Sequence, residues 1–92
     1  MVRAPCIAAL LLALAGCDAA VDAQLQSGND RVARDAVEQY RIAKEGGGGP
    51  IDVCNAAGFV AAAYLQAKDQ PNYTAWKERE RADCRAAGLE LE

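Results

Sequence analysis

Hydrophobic side chains recur at a helical period along most of the chain, and this pattern predicts an all-α protein. In residues 30–45 the apolar positions return every three or four residues, with charged side chains between them; they are Val32, Ala33, Ala36, Val37, Tyr40 and Ala43. Asn29 or Asp30 is the predicted cap of this first helix. The tract Gly46–Gly49 predicts its end, because glycine accepts the left-handed turn that stops a helix.

Two more helices are predicted after the glycine tract. Pro50 suits the first turn of the second helix, which extends to about Lys68. Asp69 to Asn72 contains a proline and separates it from a third helix over residues 73–87, with Asp69 or Asn72 as the cap. Since the connection is short, the second and third helices should form an antiparallel hairpin. The predicted fold is a small three-helix bundle, or a hairpin plus one helix.

The second helix is apolar around most of its circumference and unusually rich in alanine. Small residues recur at four-residue spacing, Ala57 with Ala61 and Gly58 with Ala62, so another helix can approach closely. In lipid the same spacing is typical of membrane helix dimers. Asp52, Asn55 and Gln66 interrupt the apolar stretch, which is also short, and the pattern favours the buried central helix of a small bundle.

Three aromatic side chains fall near the turn of the predicted hairpin. They are Tyr64, Tyr73 and Trp76. One interpretation is a ligand-stacking box. The other is the core at the closed end of the hairpin, where large rings fill the space between helices, and the usual behaviour of aromatic residues favours it.

Cys54 and Cys84 lie equally far on either side of the turn near Asp69, so an antiparallel hairpin places them opposite each other. In an exported protein such a pair should oxidise, and a disulfide suits a domain too small to bury a large core. A redox or metal site is the alternative. The cysteines do not form a C-x-x-C motif and the chain contains no histidine, which favours a structural disulfide and no metal.

The amino-terminal segment has the order of a secretory signal: the charged Arg3, an apolar run from Ile7 to Ala15, and small residues before Cys17. The motif Leu14-Ala15-Gly16-Cys17 resembles the lipobox of bacterial lipoprotein precursors. The resemblance implies cleavage before Cys17, a diacylglycerol on its sulfur and an acyl chain on its amino group, with no other cofactor. An ordinary secretory signal cut near Ala13 to Ala15 is the alternative.

The lipobox implies a plan for the whole chain. Residues 1–16 are a signal peptide, 17–29 a lipidated tether, 30–88 a small helical domain and 89–92 a tail. The tether lacks a sustained apolar period and is predicted as a mobile spacer, although a helix extending from the membrane is the other interpretation. Asp18, directly after the lipidated position, resembles the inner-membrane retention signal and favours that membrane over the outer one. The predicted location is the cell envelope, facing the periplasm.

Composition argues against catalysis and against nucleic-acid binding. The chain has 10 basic and 13 acidic side chains, a net charge of −3, and no basic footprint for nucleic acid. Histidine, the usual general base near neutral pH, is missing. The hydroxyl groups of Ser27 and Thr74 have no evident partner base. The sequence therefore predicts a protein that is not an enzyme and works through a protein partner in the envelope, with Val37 and Tyr40 as exposed anchors.

In overall plan the chain resembles the small entry-exclusion lipoproteins of conjugative elements, the TrbK type. The match covers only the Leu14 to Cys17 motif and the general size; the long tether and the Gly46–Gly49 tract have no counterpart in the family's plan. The resemblance implies an anchored protein that blocks redundant DNA uptake by contacting the mating machinery, with Cys17 as the one residue carried over. The alternatives are an accessory or structural subunit of an envelope or secretion complex, and a thiol redox protein through Cys54 and Cys84.

Overall fold

The protein is all-helical, as the sequence predicts. The computed structural model describes the backbone of residues 3–91 and the side chains of residues 20–91. It contains α1 (Arg3–Glu45), α2 (Pro50–Gln66) and α3 (Gln70–Ala86). Asp69 caps α3 by accepting a hydrogen bond from the backbone N–H of Asn72, at 3.2 Å. Both helices of the predicted hairpin lie within two or three residues of their expected bounds.

α2 is the central helix, and both α1 and α3 pack against it. The core consists of α2 side chains enclosed between one aromatic ring from each neighbouring helix; its buried members are Tyr40, Ala57, Val60, Ala61 and Trp76. Ala57 and Val60 are completely buried. The small residues of α2 leave the space that the rings of Tyr40 and Trp76 occupy, which gives the close packing that protein interiors require.

α1 begins far earlier than the expected Asp30, so the prediction of a mobile spacer over residues 17–29 is wrong for the backbone. Two cross-helix hydrogen bonds hold this segment: Gln26 Nε2 donates to the carbonyl of Ala67 at 2.7 Å, and Asn29 Nδ2 donates to that of Gln66 at 3.2 Å. These carbonyls belong to the end of α2, where the helix has no intrahelical donors left. The bonds offset the roughly 1 kcal/mol that Gly28 costs a helix interior.

Each helix ends in a left-handed turn that satisfies its last carbonyls. Gly47 and Gly88 have φ angles of 80° and 82°, and Lys68 takes the same role after α2 with a φ of 57°. After α3, the N–H of Gly88 donates to the carbonyl of Arg85 and that of Leu89 to the carbonyl of Cys84, the Schellman arrangement. This turn directs residues 89–91 back along the body.

The end of the Glu80 side chain, from α3, lies over Gly58. A Cβ atom at this position would come within 2.5 Å of Glu80 Oε2. The four-residue spacing of small residues in α2 therefore serves the packing of the bundle: Ala57 and Ala61 are in the core, and Gly58 makes room for Glu80. Ala62 alone of this set remains exposed.

Candidate functional site

Tyr40 is a core residue, and the prediction of an exposed anchor at this position is wrong. Only 4% of its surface is accessible, and Val37 is half-buried beside the same cluster. The apolar face of residues 30–45 could meet a partner protein or the hairpin, and the sequence did not decide between them. The alanines of α2 provide a complementary surface within the chain, so the face is buried there.

Tyr40 connects α1 to α3 through two contacts. Its ring meets that of Trp76 edge to face, with centroids 4.9 Å apart and planes at 85°, a favoured aromatic arrangement. Its hydroxyl donates a hydrogen bond to Asp83 Oδ2 at 2.7 Å. Burial, together with this hydrogen bond and the charge of Asp83, raises the pKa of Tyr40 from 10.0 to about 12. Tyr40 is therefore a neutral donor at physiological pH.

Two cations lie over this aromatic pair. The guanidinium carbon of Arg79 is 4.5 Å from the centre of the Trp76 ring and 5.9 Å from that of Tyr40. Lys44 Nζ is 5.7 Å from the Tyr40 ring. Within the described part of the chain, neither cation has a carboxylate within salt-bridge distance. Cation–π contact holds both side chains in place while their N–H donors keep their hydrogen-bonding capacity.

The rings and cations line a surface groove of about 350 Å³ between α1 and α3. Volumes of this order are typical of small binding pockets. Its lining consists of an apolar floor and a mainly cationic rim: Val37, Tyr40, Arg41, Lys44, Glu45, Trp76 and Arg79. We call it the aromatic–cationic groove.

The positive charges of the groove are not equally available. Arg41 pairs with Glu38 and, at 2.6 Å, with Glu45. The hydrogen bond with Glu38 raises the pKa of Arg41 and lowers that of Glu38. Arg41 is shared between the two carboxylates, so these three side chains keep a net charge of −1, one positive against two negative. Among the described side chains, the rim cations without a salt-bridge partner are Lys44 and Arg79. The groove suits an anionic group that brings an apolar side chain with it.

The sequence analysis named two residues that line the groove, Val37 and Tyr40, but as exposed anchors for a partner. It did not identify the two cations, Lys44 and Arg79. A signal for them is present: Lys44 lies one helical turn after Tyr40, and Arg79 lies one turn after Trp76. Such pairs occur on many solvated helix faces. Only the packing of α1 and α3 on a common neighbour brings these two pairs together.

The aromatic residues near the hairpin turn contribute to the core rather than to a separate ligand box. Trp76 belongs to the buried cluster, and the half-buried Tyr64 and Tyr73 pack against it. The groove therefore uses Trp76 together with Tyr40, a residue from α1 that the sequence did not group with the hairpin aromatics.

Cys54 and Cys84 form the predicted disulfide, with Cα atoms 4.5 Å apart. It joins the first half of α2 to the end of α3, far from the connecting turn. The two residues are 5% and 1% exposed. Among the described side chains, no group of three or more histidine, cysteine or carboxylate residues is placed to hold a metal ion.

The residues of the predicted anchor lie outside the described side chains. This applies to the Leu14 to Cys17 motif and to the sorting position Asp18. Within the residues that the structure describes, no helix combines the length and hydropathy that crossing a membrane requires.

Comparison with protein-family models, with curated proteins and with solved structures finds no match to this chain.

Proposed function

We propose that the chain is a lipid-anchored protein of the bacterial envelope that acts without catalysis, by binding an acidic segment of a protein partner in the aromatic–cationic groove. The observation that carries the interaction is the pair of cations without a salt-bridge partner among the described side chains, Lys44 and Arg79, which lie over two aromatic rings. A carboxylate would meet N–H donors from both cations there, and because Lys44 and Arg79 are exposed, each ion pair contributes roughly 0.2 to 1 kcal/mol.

The helical segment of residues 17–29 gives the anchor a mechanical role. At 1.5 Å per residue, the nine steps along the helix from Cys17 to Gln26 span roughly 14 Å. Gln26 is bonded to the end of α2. A lipidated Cys17 would thus hold the α2–α3 turn toward the bilayer, and residues 37–45 of α1, which line the groove, would face away from it. The partner segment would be met in the periplasm rather than at the lipid surface.

The biological process suggested by the sequence is entry exclusion during conjugation, with a component of the mating machinery as the partner. A role as an accessory or structural subunit of an envelope complex uses the same surface. A thiol redox function is disfavoured by burial, because a redox partner must reach a sulfur atom and both Cys54 and Cys84 are buried.

The anchor is tested by the intact mass of the protein extracted from membranes. We expect the mass of residues 17–92 plus a diacylglycerol and an acyl chain, because the lipobox directs both modifications. A Cys17→Ser variant should remain at the precursor mass. An unacylated chain cleaved near Ala15 in the wild type would refute the anchor and support an ordinary secretory signal.

The groove is tested with Trp76 fluorescence, since Trp76 is the only tryptophan in the chain. We expect saturable binding of a tryptophan-free probe peptide of alternating leucine and glutamate. The Lys44→Gln/Arg79→Gln variant should bind several-fold more weakly, because each exposed charged contact contributes roughly 0.2 to 1 kcal/mol. Added salt should weaken wild-type binding, since the rim charges are screened.

The matched control is the double variant Arg81→Gln/Arg85→Gln, which removes the same net charge from exposed positions of α3 that do not line the groove. It should bind the probe like the wild type. An equal loss of binding in both double variants would mean non-specific attraction, and the groove would not be the site.

A further inference from the structure

The disulfide borders a cleft that lies between α2 and the segment after α3. Both Cys54 and Cys84 line this cleft, which has a volume of about 410 Å³. The two residues are nevertheless only 5% and 1% exposed. A thiol that attacks a disulfide must come into contact with one of its sulfur atoms. Such contact therefore requires some part of the molecule around the cleft to open.

One side of the cleft is formed by residues 88–91, which we call the strap. Leu89 and Leu91 line the cleft, yet they are 44% and 42% exposed, so each buries only part of its apolar surface. The backbone N–H of Leu89 donates to the carbonyl of Cys84 at 2.8 Å. The strap is thus fastened to one of the two cysteines by the turn that ends α3, and by little else that is buried.

The other sides of the cleft belong to α2 and α3, which are held together by the core. Val60 of α2 is completely buried, and Trp76 of α3 is 9% exposed. Separating these helices would expose that core, whereas lifting the strap would expose only the covered half of two leucines. Local openings that expose little buried surface have the lowest free energies in a folded protein. The strap is therefore the part of the cleft that opens most readily.

We propose that the strap is a gate for thiol–disulfide exchange: a thiol reaches the Cys54–Cys84 bond when residues 88–91 lift from the cleft, while the three helices stay packed. The strap then sets how long the hairpin keeps its covalent link in reducing surroundings. This role depends neither on the lipid anchor nor on the aromatic–cationic groove, so it can be tested separately from both.

Dithiothreitol is a suitable probe, because its two thiols carry the exchange to completion. Its thiolate bonds to one cysteine sulfur, the S–S bond breaks, and the other cysteine sulfur leaves as a thiolate. The second thiol of the reagent then displaces the protein from the mixed disulfide. The reagent is oxidised to a cyclic disulfide, and the two cysteines gain two electrons and the two protons that the reagent loses.

Two glycines with nearly the same conformation provide a matched pair of variants. Gly88, at the start of the strap, has a φ of 82°, and Gly47, after α1, has a φ of 80°. At either position an added Cβ atom would meet no atom beyond its chain neighbours within 4 Å, so both substitutions act through backbone strain. In native buffer we expect Gly88→Ala to be reduced roughly five- to thirtyfold faster than the wild type, because a left-handed conformation is strained once a Cβ atom is present. Gly47→Ala should keep the wild-type rate. Alkylation at timed intervals, followed by mass spectrometry of the peptides that contain Cys54 and Cys84, measures the rates.

A second pair of variants tests the apolar contacts of the strap. Leu89→Ser/Leu91→Ser should also accelerate reduction several-fold, because serine side chains do not hold the strap against the cleft. The matched control is Leu25→Ser/Val32→Ser, which replaces side chains of α1 that are 59% and 57% exposed. Neither of them lines the cleft, so this control should be reduced at the wild-type rate.

Three results would overturn the gate. Equal acceleration by Gly88→Ala and Gly47→Ala would show that exchange follows a general loss of stability. Wild-type rates in both strap variants would show that the thiol enters by another route. Finally, a wild-type rate that rises with low urea concentrations as steeply as global unfolding does would assign exchange to unfolding of the whole domain, because the slope with urea reports the surface exposed in the opening.

Discussion

Removal of the Cys54–Cys84 disulfide is expected to lower the free energy of unfolding by about 3 to 4 kcal/mol. The bridge spans a sequence separation of 30 residues, and closing a loop of that length in the unfolded chain accounts for a loss of this size in the chain-entropy estimate. Small domains have only about 5 kcal/mol or slightly more in total. The Cys54→Ala/Cys84→Ala variant should therefore be largely unfolded near physiological temperature, as followed by circular dichroism during urea and thermal unfolding.

Position in the hairpin explains why this bridge matters. The α2–α3 turn joins the hairpin at one end, and the disulfide joins it at the other, where α3 otherwise ends in an exposed tail. Wild-type protein in reductant serves as a second measurement, because it keeps both sulfur atoms and loses only the bond. Identical unfolding midpoints for oxidised and reduced wild type would show that the bridge does not stabilise the fold.

Trp76→Ala is expected to destabilise the protein by about 3 to 5 kcal/mol, the usual cost of deleting a large buried aromatic side chain. Trp76 is 9% exposed and makes the edge-to-face contact with Tyr40 that joins α3 to α1. Its loss would leave a cavity beside Val60 and remove the support for Arg79. Urea unfolding followed by circular dichroism measures the change without depending on tryptophan fluorescence.

Phe59→Ala is the matched control, because it deletes an aromatic side chain that is 71% exposed on α2. Its effect should stay within about 0.5 kcal/mol. A third variant, Tyr40→Phe, keeps the ring and removes the hydrogen bond to Asp83, so an intermediate loss of about 1 kcal/mol is expected. If Phe59→Ala cost as much as Trp76→Ala, the assignment of core and surface on α2 would be wrong.

Much of the hairpin could be predicted because its determinants are local. Pro50, the glycine tract and the Asp69–Asn72 segment mark where helices start and stop, and each acts through the conformation of its own residues. The cysteine pairing followed from the same information. A short turn fixes which positions of two antiparallel helices face each other, so the spacing of Cys54 and Cys84 was sufficient.

The extent of α1 was not predictable in the same way. Ser27, Gly28 and Asn29 weaken a helix when only local preferences are considered. The carbonyls of Gln66 and Ala67 reverse that preference by accepting hydrogen bonds from Asn29 and Gln26, more than thirty residues away in the chain. The sequence shows that the side chains of Gln26 and Asn29 can donate hydrogen bonds. Local preferences do not show where the accepting carbonyl groups lie in the folded chain.

The sequence by itself determined the helical class, the hairpin, the disulfide and the lipobox-like start of the chain, because each depends on neighbouring residues or on symmetry about one turn. Only the tertiary structure decided that Tyr40 is buried and that Lys44 and Arg79 share one aromatic floor. The periodicity of a helix shows that it has an apolar face but not what that face meets. Here α2 offered a surface of alanines that accommodates a ring, and the docking of α1 on that surface created the groove.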